Sequence, residues 1–253
     1  VRAFAFLGDG LMVYQSAVVD LVRERAQVEI DPLVAGDLEE LDGIAGGGTA
    51  LLFLCGLPYV RTRDRGFPLQ ALVAPVSTAA PEGRPGYLSL LLGRPGLAGQ
   101  ALEDLTDLRL VINSRDSMSG WVLPVGSGLP MDRFSSIVET GGHRLSMEAL
   151  LRDEADAAPI DSMLLAGELP VTPAFATLPV LAEYGPSPSP PIVLVGGDAA
   201  LAERLTEVLE QLHQDEAGRA ALALGRMARL ERMADADYDL TRACDRVAAR
   251  CTR

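Results

Sequence analysis

The chain contains no lysine: all 22 of its basic residues are arginine, set against 35 aspartates and glutamates, for a formal charge of −13 over 253 residues. The arginine usage reads first as the codon composition of a GC-rich genome. Without a lysine to reach a phosphate, Gly46-Gly47-Gly48-Thr49 is not a P-loop. The acidic excess argues against a nucleic-acid partner, whose binding rests on clustered positive charge. It leaves room for a small anion, because the affinity of a cleft is set by its local donors. Cysteine is also scarce, with Cys55, Cys244 and Cys251 alone. Cys244 and Cys251 lie seven apart in a helical pattern, so about 10 Å of rise separates them, beyond the roughly 7 Å reach of a disulfide. With only His143 and His213, far apart and without cysteine at ligand spacing, no metal site is expected, and no motif for an organic cofactor is present. No run of ~18 apolar residues exists to cross a membrane. The chain opens at Val1 with no basic-then-apolar leader, which fits a leader removed or never present and leaves the compartment open.

What is abundant is aliphatic: 48% of residues are hydrophobic and only 5% aromatic, a globular composition. Short apolar runs at 2–7, 50–54, 69–76, 87–92, 108–113, 136–140, 157–160, 177–181 and 192–195 read as strands. Helical spacing follows at 11–25, 144–153 and 199–213, and the remainder to Arg253 reads helical throughout, with breaks near 214–215 and 235–237. Gly8-Asp9-Gly10 lacks the third glycine of a dinucleotide turn and reads as the tight turn after the first strand. Strands alternating with helices predict an α/β protein with mostly parallel sheets flanked by helices. Proline-marked connections near 78–86 and 185–191 divide it into two lobes: 1–84 with 190–253, and 85–189. A ligand cleft between two such lobes is the expected binding place.

The segment 108–121 says most about function. An apolar run ends in Ser117-Met118-Ser119-Gly120, where two hydroxyls and the first unpaired N–H groups of a helix can converge on one small oxyanion. An ordinary helix N-cap is an equally fair reading of those serines. His143, in Thr140-Gly141-Gly142-His143, repeats the same strand-to-helix context, and a ring N–H is a good donor to an anion. Asp161 ends another apolar run. It either caps the next helix or, beside an anion, accepts a hydrogen bond from a P–OH group and so favours monoprotonated phosphate over sulfate. Tyr59 and Tyr87 follow or open strand-like runs, as cleft phenols or as packing. A serine triad is disfavoured, since S-x-S-G-W is not the glycine-flanked nucleophile elbow.

In order and spacing, F-L-C-G-L-P-Y-V at 53–60, F-P-L-Q-A-L-V-A-P-V at 67–76, G-Y-L-S-L-L-L at 86–92, L-E-D-L-T-D-L-R-L-V-I-N at 102–113, S-M-S-G at 117–120, T-G-G-H-R-L-S-M-E-A-L at 140–150, A-A-P-I-D-S at 157–162 and P-S-P-S-P-P at 186–191 resemble the phosphate/phosphite/phosphonate (PhnD-like) substrate-binding proteins of ABC transporters. The resemblance implies a two-lobed type II periplasmic-binding-protein fold that closes on its ligand by a hinge motion. It also implies a non-catalytic role with no cofactor, in which a small phosphorus oxyanion is captured for an ABC transporter permease from an extracytoplasmic position, the cytoplasm staying open. By resemblance the anion ligands are Ser117, Met118 through its backbone, Ser119, His143, Asp161, Tyr87 and, from a shorter motif, Tyr59. Met118 stands where the family usually has threonine. Met163 and Ser189 occupy places where aminophosphonate binders carry acids, so an amine-bearing ligand is not implied. Two other readings stay open: a leaderless enzyme on the same fold, resembling chorismate dehydratases, and a metabolite-sensing binding module.

Overall fold

In the computed structural model, residues 1–7 and 9–251 are described. The chain forms two units, one from Val1–Gly86 with Pro188–Asp239, the other from Tyr87–Ser187 with the chain from Leu240 onward. It crosses between them after Gly86 and Ser187, where the sequence expectation stood at 84 and 189.

The first unit opens with β1 (Arg2–Ala5), α1 (Met12–Ala26), β2 (Val34–Ala35), α2 (Leu41–Gly46), β3 (Ala50–Phe53), α3 (Gly56–Asp64) and β4 (Leu69–Ser77). The second holds β5 (Tyr87–Gly93), β6 (Leu108–Ile112), a π-type turn over Met118–Val122 that runs into α4 (Leu123–Gly126), β7 (Phe134–Glu139), α5 (His143–Leu151), β8 (Ala157–Asp161), α6 (Ser162–Glu168) and β9 (Val180–Ser187). The chain then returns to the first unit for β10 (Ile192–Val195), α7 (Ala199–Gln211), α8 (Glu216–Leu224) and β11 (Met227–Arg232), and ends in α9 (Asp239–Cys251). Of the turn read at Gly8-Asp9-Gly10, Gly8 lies outside the described residues, and Asp9–Leu11 forms a short 3-10 turn.

The sheet of the first unit has the order β11-β4-β10-β3-β1-β2, with β1 parallel to β2 and β3, and with β10 and β11 antiparallel to their neighbours. That of the second has the order β7-β6-β8-β5-β9, with β6 parallel to β7 and β8, and β5 antiparallel to β8 and β9. Both sheets are therefore mixed rather than mostly parallel. Unbroken apolar runs such as β3 and β10, buried at every position, report that helices cover both faces; they carry no signal of strand direction. The return strand β10 slots antiparallel between β3 and β4.

Three further readings change. The tail is not helical throughout, because β11 pairs with β4 through a register shift between Met227 and Arg229. The bulge lets Met227 and Leu230, three residues apart, both face inward, which imitates helical spacing. The strand expected at 177–181 is β9, which starts at Val180 and runs into the proline tract. Finally, α9 packs with the second unit instead of the first. A Cβ on Gly126 would lie 2.4 Å from the Cβ of Cys244 and 2.5 Å from its Cα, so the missing side chain is what lets the helix approach. Thr241, Cys244 and Ala248 form the buried stripe of α9. The core of the second unit gathers Leu92, Val111, Met147, Leu150, Ile160 and Phe175 between sheet and helices.

Candidate functional site

Because β6, β7 and β8 run parallel, their carboxyl ends lie on one side of the second sheet, together with the amino end of the antiparallel β5. Each of the three exits delivers expected site residues: Ser117, Met118 and Ser119 after β6, His143 after β7 and Asp161 after β8. After β6 the chain turns at Ser117, whose backbone is extended (φ −88°, ψ 130°) and whose hydroxyl accepts from the Gly120 N–H at 3.0 Å. The Ser117 carbonyl takes the N–H groups of Trp121 and Val122. The N–H groups of Met118 and Ser119 thus precede the first bonds of the turn, at the end where a helix is electropositive. The Met118 side chain is buried, leaving its backbone as the group on offer.

After β7, Thr140 donates its N–H to the Ile112 carbonyl at 2.8 Å, and Gly141 (φ +84°) donates to the Asn113 carbonyl at 3.0 Å. These bonds tie the two exits and set His143, the first residue of α5, beside the serine turn. Its Nε2 lies 3.0 Å from Ser119 Oγ. Nδ1 is buried without a hydrogen-bond partner. Burial pushes the ring down to about 4, opposed in smaller part by the backbone of Pro159. After β8, Asp161 caps α6, accepting from Met163 N–H at 2.8 Å and Leu164 N–H at 3.1 Å. Burial nevertheless raises its carboxyl to about 6 against those two donors.

Two residues that the sequence reading passed over join the pieces. Ser89, fully buried in β5, donates to the Ser119 carbonyl at 2.6 Å and stands opposite Asp161 in the β5–β8 ladder. It is the lone hydroxyl between Tyr87 and Leu92, and that is the signal that marks it. Asn113 packs its Oδ1 over Gly120, where a Cβ would come within 1.7 Å, and that oxygen has no hydrogen-bond partner. Ser117, Ser119, His143 and Asp161 therefore occupy one neighbourhood of the second unit. Tyr87 opens β5 there, buried and opposite Ser187.

Tyr59 is a residue of the first unit. It lies in α3, not on a connection after a strand, and is completely buried, packed edge-on against Tyr238 with centroids 5.0 Å apart. Its hydroxyl donates to Asp235 Oδ1 at 2.8 Å within the first unit, and burial with that carboxylate raises its pKa. The phenol is spent on the architecture of the first unit.

The Ser119–His143 bond invites comparison with a nucleophile and its base. A ring titrating near 4 accepts a proton at pH 7 at a cost of about 4 kcal/mol, at ~1.4 kcal/mol per pH unit. No carboxylate hydrogen-bonds Nδ1 to offset that cost. Among the described residues, no group of three histidine, cysteine or acidic side chains gathers at metal-binding range, and no helix is long and apolar enough to cross a membrane.

A fold of two mixed sheets flanked by helices, with donors at the strand ends of one unit, is the pattern of a solute-binding protein. The model of a family described as ABC transporter, phosphonate, periplasmic substrate-binding protein matches residues 14–238. The chain belongs to that family. Among solved structures it is similar to a binding-protein component of an ABC phosphonate transporter from Pseudomonas aeruginosa (TM-score 0.75, 15% identity, covering 100% of this chain and 87% of that one). It is also similar to PhnD1 from Prochlorococcus marinus in complex with methylphosphonate (TM-score 0.77, 14% identity, 97% of each chain). A third likeness is to the periplasmic aliphatic sulphonate binding protein SsuA from Escherichia coli (TM-score 0.64, 14% identity, 100% and 87%). At these identities the likenesses establish the type II periplasmic-binding-protein fold. None of the curated proteins matches the chain by sequence.

Proposed function

We propose that the chain captures a small phosphorus oxyanion, phosphate, phosphite or a phosphonate without an amine, and passes it to an ABC transporter permease from an extracytoplasmic position, performing no chemistry on it. The observation that supports this most is the joined set of Ser119, His143, Ser89 and Asp161, beside the N–H groups of Met118 and Ser119. Hydroxyls and backbone N–H groups take the charged oxygens. Asp161 accepts from a P–OH group and disfavours an anion that lacks one, because an ionised carboxylate beside a bare oxyanion is repelled. The family match supports the binding role, and the methylphosphonate complex of one neighbour supports the ligand class. Met163 follows Asp161 without an acid to receive an amine.

Calorimetric titration with phosphate, phosphite, methylphosphonate and sulfate tests the reading. Saturable heat is expected with at least one phosphorus anion, with sulfate at least about tenfold weaker, the equivalent of ~1.4 kcal/mol. Heat with none of the three phosphorus anions overturns it.

A further inference from the structure

Asn113 is the only asparagine in the chain. Lysine and asparagine share codons that begin AA, and the composition that leaves no lysine leaves this single asparagine, where β6 exits toward the serine turn. Its backbone ties two parts of the site, because its carbonyl takes the Gly141 N–H at 3.0 Å, two residues before His143. Its side chain lies against Gly120. The place a Cβ would take on that glycine is 1.7 Å from Asn113 Oδ1 and 3.1 Å from Ser117 Oγ. That place lies along a Cα–H bond of Gly120, so the inward atom of the carboxamide faces a weak donor, which suits an oxygen and would set an amino group hydrogen against hydrogen. Oδ1 is buried and has no conventional partner. Asn113 as a whole is half-buried, and its Nδ2 is neither enclosed nor hydrogen-bonded to any described residue.

An aliphatic side chain of the same size would fill the space over Gly120 without leaving a buried acceptor unpaired, which costs stability. What the amide has in addition is two hydrogens on its open end. Building on the capture reading above, we propose that Asn113 is a further ligand of the oxyanion, donating from Nδ2 to a charged oxygen on the Ser117 side of the site. With Oδ1 seated over Gly120, the plane of the two N–H bonds is set before the ligand arrives, and little freedom is lost on binding. The amide is neutral, so its hydrogen bond is strongest to an oxygen that carries charge. Asn113 and Asp161 then divide the ligand between them. The amide takes an unprotonated oxygen and the carboxylate takes the P–OH, so the two side chains read a monoprotonated phosphorus anion at separate oxygens.

With a single asparagine in the chain, protein grown with asparagine isotopically labelled at its side-chain nitrogen gives one amide signal in NMR. On saturation with inorganic phosphate or methylphosphonate, one of its two protons is expected to move downfield, as a new hydrogen bond to an anion requires. Calorimetry with the same two anions reads the strength of the contact. Asn113→Leu keeps the volume and removes both polar atoms; it is expected to bind about tenfold more weakly while unfolding at the same temperature or higher, because the buried orphan goes with the amide. Asn113→Asp keeps the shape, removes the N–H groups and sets a negative charge beside the anion, with an expected loss of at least about 100-fold. A purely structural asparagine gives the reverse pattern in Asn113→Leu, lower stability with affinity kept, and that result overturns the inference. So does an amide signal that stays in place in the saturated protein, or wild-type affinity in Asn113→Asp. Should both variants fail to fold, the wild-type signal decides alone. Each of these results leaves the capture reading standing. Absence of binding to every phosphorus anion fells the capture reading and the role of Asn113 with it.

Discussion

In the first unit, the Tyr59 hydroxyl and Arg63 both reach Asp235 Oδ1 at 2.8 Å, and the Tyr238 hydroxyl donates to the Ser189 carbonyl at 3.0 Å. In the second unit, Ser119 is bonded to His143 and to Ser89, with Asp161 opposite Ser89 in the ladder, yet the set stays chemically unfinished: Nδ1 of His143 and Oδ1 of Asn113 are buried without a partner, and the half-buried carboxylate of Asp161 is met by two backbone N–H groups. In the first cluster a phenol and a guanidinium complete the carboxylate, and among the described residues the one orphan is Ser189 Oγ, beside the carbonyl that Tyr238 bonds. The second is held in place by its own bonds while keeping polarity for something else. Unsatisfied buried polarity costs stability, and a binding site is where such a cost has a use.

The sharpest way to break the comparison is Gly120→Ala. A methyl there would sit 1.7 Å from Asn113 Oδ1 and 3.1 Å from Ser117 Oγ, so the serine turn must move. Overpacking of this kind costs about 1–3 kcal/mol, and the misplaced N–H groups are expected to lower anion affinity about 100-fold, since small misplacements cost that much where geometry decides. Thermal unfolding and calorimetry read the two effects separately. Unchanged affinity would mean that the turn does not hold the anion.

Ser117→Ala is milder. Losing the bond to the Gly120 N–H costs about 1 kcal/mol of stability, with an expected loss of roughly tenfold in affinity, the size of one hydrogen bond to a charged group. Tyr59→Phe is the counterpart on the other side of the comparison. It strips one donor from Asp235 while Arg63 remains, so about 1 kcal/mol of stability should go with affinity unchanged. A clear loss of affinity in Tyr59→Phe would return that phenol to the site.

The comparison also shows why the sequence was legible in one unit and misleading in the other. Ser117, Ser119, His143 and Asp161 each sit where an apolar run meets a helix, a local pattern that points to a helix N-terminus without knowledge of the fold. Tyr59 carries the same local signature of a phenol after an apolar run. What disarms it is Asp235, 176 residues further along, and no local pattern reports a partner at that distance. The same limit hid the docking of α9, which depends on Gly126 lacking a side chain opposite Cys244. β11 was lost for a different reason, because its bulge breaks the two-residue period by which a strand is recognised. Strand direction was unreadable throughout, since burial on both faces looks alike in parallel and antiparallel neighbours. Ser89 could have been noticed, but its partner, a backbone carbonyl, leaves no trace in a sequence.

The smallest effect is also the most diagnostic, because it separates two buried groups of the second unit by sign. Asp161 titrates near 6 in the folded protein against an ordinary 3.8, so between about pH 4 and 6 the folded state keeps a proton that the unfolded chain has released, and stability falls as pH rises. His143 titrates near 4 against an ordinary 6.5. Across the same window the unfolded chain holds a proton that the folded state refuses, and stability rises with pH. Each slope is at most about 1.4 kcal/mol per pH unit, and the two oppose. In wild type they largely cancel. Asp161→Asn, which keeps an oxygen to cap α6, should uncover the rising slope, and His143→Gln the falling one. Denaturant unfolding of the ligand-free proteins at pH 4.5, 5.2 and 6, values set by the two cited shifts, should therefore show the variants diverging from wild type in opposite directions, by of order 1 kcal/mol across the window after allowance for partial solvent access. Parallel curves would mean that neither group is held away from water in the free protein, and the unfinished character ascribed to the second cluster would go with them.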